Sequence, residues 1–441
     1  MVRRLAIFTR TMDKLNPGSK GWIKKYFTIL NDYSETLNRY PRAMMTPEEL
    51  IYGYLQPTGI MYGFPTSLLF LDSSYMDTWN NEESFKVLLL EGLILVDHIQ
   101  EGEFDMSSLE GSLARFVEFY EATEIERAKK SWLDFKGLDT YEKLESIIAK
   151  RVDIKTSFSH KLWTSYLNNS LIFQDLLLYH EFHCGASIML LSAKRADFML
   201  DMVKVVACAA HADGEVKEEE QAIFDVFMAS ARLEGQRRDI AKTFWEEGGT
   251  INEIEFKYNT SWLLNRYILE IAILTVWSDR VVVESEHQFL NELIKKLDIP
   301  VEEKDKSFIA IETFVMNNYD QVPFLKGKND TELLVGAATE RWKIILGRNK
   351  DKLAAELNES KELVRLIAKS TSEDLSKEEK ERAKNQFKDL ARTIPSLTLF
   401  MLPGGSLLLP IVLKAIPDLI PTAFRNNQID EDDQHLFEEE E

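Results

Sequence analysis

The sequence is short of cysteine, of positive charge and, before residue 393, of long apolar runs. Two cysteines in 441 residues, Cys184 and Cys208, exclude a disulfide framework and a cysteine-rich zinc site and fit a reducing compartment. Lys and Arg number 53 against 73 Asp and Glu, a formal net charge of −20. General nucleic-acid binding is not expected, because neutralising phosphates takes a cationic excess on some face. Apolar runs such as VLLLEGLILV are broken by charge within a dozen residues and read as core helices, too short to span a bilayer. At the N-terminus LAIF is followed at once by Thr9, Arg10 and Asp13, far short of a signal-peptide core. No Gly-rich phosphate loop, nucleophile elbow or cysteine-nucleophile motif occurs. Carboxylate pairs carry little information in so acidic a chain, so a non-enzymatic protein is expected.

Strand-like alternation is also scarce, and the VVV run at 281–283 is the one short tempting exception. What is present instead is apolar spacing of three and four, as in Trp22, Tyr26, Ile29 and Leu30, or Leu353, Leu357, Leu363, Leu366 and Ile367. The fold class is therefore all-α, built of multi-helix bundles. Thr46-Pro47-Glu48-Glu49 reads as a helix start. Five regions follow: a helical N-terminal region (1–175), a middle region with an internal repeat (176–300), a charged helical connector (301–374), an amphipathic lead-in with an apolar proline-rich segment (375–425), and a solvated, disordered acidic tail (426–441).

The repeat appears when MLDMVKVVACAAHADGEVKEEEQAIFDVFMASARLE is set beside ILEIAILTVWSDRVVVESEHQFLNELIKKLDIP. Asp213 precedes Glu220 by the interval at which Asp279 precedes Glu286. In each copy an apolar helix ends before the Asp, and the Glu falls in the first turn of the next helix. Locally, the Asp can cap that helix and the Glu can reach back to its free amides. Folded together, the copies gather four carboxylates, the donor type that hard divalent cations take. Both readings stay open. HEFHC at 180–184 has its histidines three apart, not the four of a zinc-protease helix, and is expected to be an ordinary, partly buried pair.

Thr393 to Leu413 is uncharged, long enough at ~1.5 Å per residue to cover a hydrocarbon core of ~30 Å. Five prolines lie between residues 393 and 421. Pro403-Gly404-Gly405 and Pro410 must break or kink a helix, and the freed carbonyls need partners. A re-entrant hairpin, an oligomer, or half-helices buried in protein would each supply them. The lead-in opens with Ser376 and Glu379 at capping-box spacing and carries Lys377, Lys380, Arg382, Lys384, Lys388 and Arg392. Such one-sided positive charge suits membrane-surface anchoring and would keep the N-terminal portion cytoplasmic.

Two families are resembled at these places. AAHADGEVKEEEQAIF is similar to the signature of the TerB-like (tellurite-resistance B) helical domain, a bundle with internal two-fold similarity. The second copy departs from that pattern at Arg280 and at Val281 to Val283. The resemblance implies metal binding or stress sensing at membranes, and makes Asp213, Glu220, Asp279 and Glu286 candidate ligands of a divalent cation. LSKEEKERAKNQFKDLARTIPSLTLFMLPGGSLLLPIVLKAIPDLIPTAF resembles the membrane-proximal core of the LETM family of mitochondrial inner-membrane proteins. The carriers are Asp389, Leu390, Arg392, Pro395, Pro403, Pro410, Leu413, Lys414, Pro417, Pro421 and Phe424, with Gly404 and Gly405 at the central break. That resemblance implies a membrane segment, and in the family ribosome binding and cation or proton exchange. The pairing of the two looks like bacterial LETM-related proteins described as biofilm-associated.

The expectation is thus a helical bacterial protein on the cytoplasmic side of the inner membrane, single-pass or re-entrant, with lipid, a membrane protein or a second copy as partner. Its role would be scaffolding or stress and ion homeostasis. A transport component, a ribosome-binding factor and a soluble interaction protein are the alternatives.

Overall fold

A computed structural model describes residues 15–30, 45–101, 109–123, 137–153, 169–257, 261–276, 283–318, 339, 341–344, 346–348, 350–372, 375–390, 409, 412–413 and 415–417. Among them the chain is helical and no strand occurs. It forms two compact units, one comprising Met1–Ile51, Thr58–Lys155 and Asn168–Ala196, the other Tyr52–Pro57, Thr156–Leu167 and Asp197–Glu441.

The helices are α1 (Trp22–Ile29), α2 (Pro47–Leu55), α3 (Asn81–Glu101), α4 (Leu109–Thr123), α5 (Thr140–Val152), α6 (Phe173–His183) and α7 (Ile188–Ala210). They continue as α8 (Glu218–Ala231), α9 (Gly235–Glu246), α10 (Trp262–Val276), α11 (Glu284–Lys296), α12 (Val301–Asn317), α13 (Lys350–Glu359), α14 (Lys361–Ser372) and α15 (Lys377–Leu390). The expected start at Thr46 is a reciprocal cap. The Thr46 amide donates to Glu49 Oε2 at 2.8 Å, and the Glu49 amide donates to Thr46 Oγ1 at 3.2 Å.

In the first unit α3 is the centre, because every residue from Ser84 to His98 is buried and a helix apolar on all sides belongs inside a bundle. It packs on α4, α5 and α6. Gly92 marks a close approach to α6, where a Cβ would stand 2.6 Å from Leu176 Cδ1. The charges that α3 and α6 carry inward are all answered. Asp97 accepts from Ser112, from Arg115 Nη2 at 2.7 Å and from Tyr179 at 2.6 Å. Asp175 receives Arg151 through two bonds of 2.7 Å, with Arg195 and Tyr120 beside it. Burial pushes both carboxyls up, yet these donors hold both below the usual range.

Glu91, also on α3, is fully buried and accepts from the Leu69 and Leu71 amides and from the Tyr26 hydroxyl. It pins residues 69–71 and α1 to the central helix.

In the second unit α10 packs against α8, α11 and α12, and Phe224 of α8 stacks on Trp245 of α9 at 3.9 Å. Arg266 on α10 is buried between Glu270 Oε1 and Glu303 Oε2, each at 2.6 Å, and Tyr52 donates to Glu270. A separate apolar cluster gathers Trp342, Leu346, Leu353, Leu357, Leu363, Leu366, Ile367 and Phe387 onto Ile309 of α12.

Glu91 makes folding sensitive to pH. Burial outweighs its donors and raises the carboxyl from 4.5 to about 7, so between those values the folded chain keeps a proton that the unfolded chain releases. Its contribution therefore favours folding below 4.5 and is lost as pH rises through 7. Chemical denaturation between about pH 4 and 8 should show that decline, and Glu91→Gln should flatten it. Equal slopes in the two proteins would refute the assignment.

Candidate functional site

The two acidic stretches place their second helices in the same local geometry. Lys217 and Val283 occupy the N-cap positions of α8 and α11 with φ, ψ of −85°, 164° and −89°, 170°. The Lys217 amide donates to Glu220 Oε2 at 2.8 Å, and the Val283 amide to Glu286 Oε2 at 2.7 Å. Both carboxylates reach back as the spacing predicts. Both are buried, each 1% exposed. Burial, then the nearby charges of Asp213 and Glu286, push the Glu220 carboxyl up to about 7 against the pull of the Lys217 amide.

Asp213 behaves differently from the cap expected of it. Its Oδ1 accepts from the Glu215 amide at 3.0 Å and its Oδ2 lies 3.4 Å from Lys217 Nζ, so it closes its own turn. Gly214, at φ 88°, supplies the left-handed residue this turn needs, and the turn ends short of α8. Asp279 lies outside the described residues. Val283, where a strand was tempting, is instead the N-cap of α11.

The structure thus brings Asp213, Glu220 and Glu286 within electrostatic reach. Among the described residues, no group of three or more His, Cys, Asp or Glu side chains is placed to hold a metal ion. Two buried carboxylates, each with one oxygen already taken by an amide, fall short of the six to eight oxygens that calcium takes. The described donors do not fit a cation by themselves.

HEFHC forms the last turn of α6 and the residue beyond it. His180 meets Gln100, and His183 Nε2 lies 3.2 Å from Glu101 and 3.4 Å from Asp97. Burial lowers the pKa of His180. Cys184 is exposed and free.

At the C-terminal end, Ser376 and Glu379 make the reciprocal cap their spacing predicts, at 2.9 and 3.2 Å. Along α15, Glu379, Ala383, Phe387 and Leu390 face inward, while Lys377, Lys380 and Arg382 are exposed. The apolar segment beyond is seen in part. Leu409, Val412, Leu413, Ala415 and Ile416 are each at most 2% exposed and belong to the cluster of α12–α15. Pro417 is helical and half-buried. Arg392, Pro395, Pro403, Gly404, Gly405, Pro410, Lys414 and Pro421 lie outside the described residues, as does the acidic tail. Among the described residues no helix is long and apolar enough to cross a membrane.

Two ion pairs that spacing alone did not suggest fasten this cluster. Arg341 Nη2 lies 3.1 Å from Glu312 and Arg348 Nη1 lies 2.8 Å from Asp305, both acids on α12.

These features define an all-helical chain whose C-terminal apolar element is seated, in its described part, against its own helices. Residues 375–440 match the family model described as LETM1-like, RBD, so the likeness to that family lies in this C-terminal part. No curated protein and no solved structure matches the chain.

The caps can be separated from the turn by mutation. Glu220→Ala and Glu286→Ala should each be less stable than the corresponding Gln variant by ~1 kcal/mol, because Gln keeps the oxygen that accepts the N-cap amide. Asp213→Asn, which keeps its turn bond, should be near neutral. Urea denaturation measures all five, and Ala variants as stable as Gln would remove the capping role.

Proposed function

We propose that this chain is a non-enzymatic, LETM-related protein that associates with the cytoplasmic face of a bacterial inner membrane through residues 375–425. The observation that carries the reading is the coincidence of the family match with a helix whose cations Lys377, Lys380 and Arg382 face outward ahead of a long uncharged segment. Cations on an amphipathic helix attract anionic headgroups at ~1 kcal/mol each near the surface, while the apolar element supplies the hydrophobic part of the attachment.

The middle region is read as a TerB-like bundle. Its paired caps at Glu220 and Glu286 support a two-copy domain, and their shared burial supports a role for charge there. A divalent cation is the ligand this reading would add, with Asp213, Glu220, Asp279 and Glu286 as its donors. The role that follows is membrane-linked scaffolding or stress and ion homeostasis, in the setting of biofilm-associated relatives. The family's ribosome-binding and cation-exchange activities are the competing readings. The RBD description of the matched model favours the first of these two.

Membrane association is tested by comparing the intact chain with one ending at residue 374 after membrane fractionation and alkaline carbonate washing. The intact chain should remain with the membrane and the shortened one should not. Recovery of both in the supernatant would sink the proposal. Calorimetric titration of the full chain with calcium, magnesium, manganese and zinc tests the acidic residues. Binding that survives Asp213→Asn with Asp279→Asn would place the metal elsewhere, and no binding in the unmodified chain would remove the cation from the account.

A further inference from the structure

Asp305 and Glu312 stand seven residues apart on α12, and Arg341 and Arg348 stand seven apart in a segment helical at 341–344 and 346–347. The first acid pairs with the second arginine and the second acid with the first. Two helices can make both pairs at once only when they run antiparallel with these residues facing, since seven residues is close to two turns. Between the pairs, the Arg341 guanidinium lies over the Phe308 ring at 4.1 Å. Trp342 and Leu346, both 0% exposed, join the cluster that also holds Ile309 of α12 and Leu409, Val412, Leu413, Ala415 and Ile416. The ladder and the apolar element are thus parts of one packed body.

The seam is incompletely satisfied. Glu312 is 2% exposed, yet among the described residues its Oε2 has no hydrogen-bond partner, nor has Arg341 Nε, and Ser307 Oγ and Thr313 Oγ1 on the same helix are also buried without a described partner. Buried charge with part of its hydrogen bonding unmet gains little over the separated state. A finished core would not leave so many polar atoms along one helix. A joint that opens would.

We propose that the Asp305–Arg348 and Glu312–Arg341 pairs form a latch that keeps the apolar residues Leu409, Val412, Leu413, Ala415 and Ile416 sheathed by α12–α15, so that opening the latch exposes them to a lipid surface. The element's buried positions 409, 412, 413 and 416 have the spacing of one helical face. That face can be covered by the protein's own helices or by lipid, but not by both. The latch sets the balance between the two. This inference rests on the membrane reading above for its second half only.

The test uses the full chain, with hydrogen exchange followed by mass spectrometry over residues 409–416, and flotation with vesicles of phosphatidylethanolamine and phosphatidylglycerol. The reversals R341E with R348E, and D305R with E312R, should each speed exchange at 409–416 by on the order of tenfold and raise the vesicle-bound fraction. Combining all four restores opposite charges and should return both readouts close to the unmodified chain. Exchange within α3, in the other unit, should not change, which separates opening from global unfolding. If the reversals do not fold, Arg348→Ala, at the more exposed pair, should give a smaller increase in the same direction. Unchanged exchange at 409–416 in the folded variants, or no recovery in the fourfold swap, overturns the latch. Faster exchange with recovery but no vesicle binding upholds the latch and defeats the membrane reading.

Discussion

A carboxylate buried among helices must meet cations or oriented amides, and this requirement organises the described structure. Helix α3 is interior on every side, yet it carries Glu91 and Asp97. α6 adds Asp175, which is 0% exposed. Each is answered from a different element: Asp97 by α4 and α6, Asp175 by α5, and Glu91 by the 69–71 backbone and α1. Such pairs add little net stability beyond an apolar core of the same shape. Their effect lies in selection. A helix slid by one turn would strand a charge, so they admit one register where leucines alone would tolerate several.

The same requirement shapes the second unit with a different outcome. Arg266 has two carboxylates and a tyrosine around it, and the group is well supplied with short bonds. Further along α12, among the described residues, the supply is incomplete, since Glu312 holds one arginine and has no described partner for its other oxygen. The contrast falls along the chain where function would place it. The well-satisfied network joins α10 to the first turn of α12 and to Tyr52, and the poorly satisfied one lies further along α12, where it fastens the helices that enclose the apolar element.

Much of the local structure was legible because it is set by residues three or four apart. The caps at Thr46, Ser376, Glu220 and Glu286 each depend on a glutamate three positions past the N-cap, and all four carboxylates make the bond that spacing requires. The all-helical class followed from the same short periodicity. What could not be read was partnership across long separations. Asp97 and Tyr179 lie 82 residues apart, and nothing near either residue selects the other. The latch shows the limit most clearly, since the seven-residue spacings of Asp305 with Glu312 and of Arg341 with Arg348 are plain in the sequence. Spacing identifies a face of a helix, whereas which face it meets depends on how the intervening chain folds. Asp213 failed as a cap for a local reason: its turn closes on Glu215, before the helix begins.

The proline-rich segment reads differently once its packing is considered. Its uncharged length suggested a span, but a helix in the hydrocarbon core must be apolar on every side and keep its backbone bonds. The described part meets a weaker condition. Leu409, Val412, Leu413 and Ile416 form a stripe, buried with Phe387 of α15 and with Leu363, Leu366 and Ile367 of α14. A stripe needs a single apolar neighbour, which a helical sheath provides and which the acyl boundary of a bilayer could provide equally.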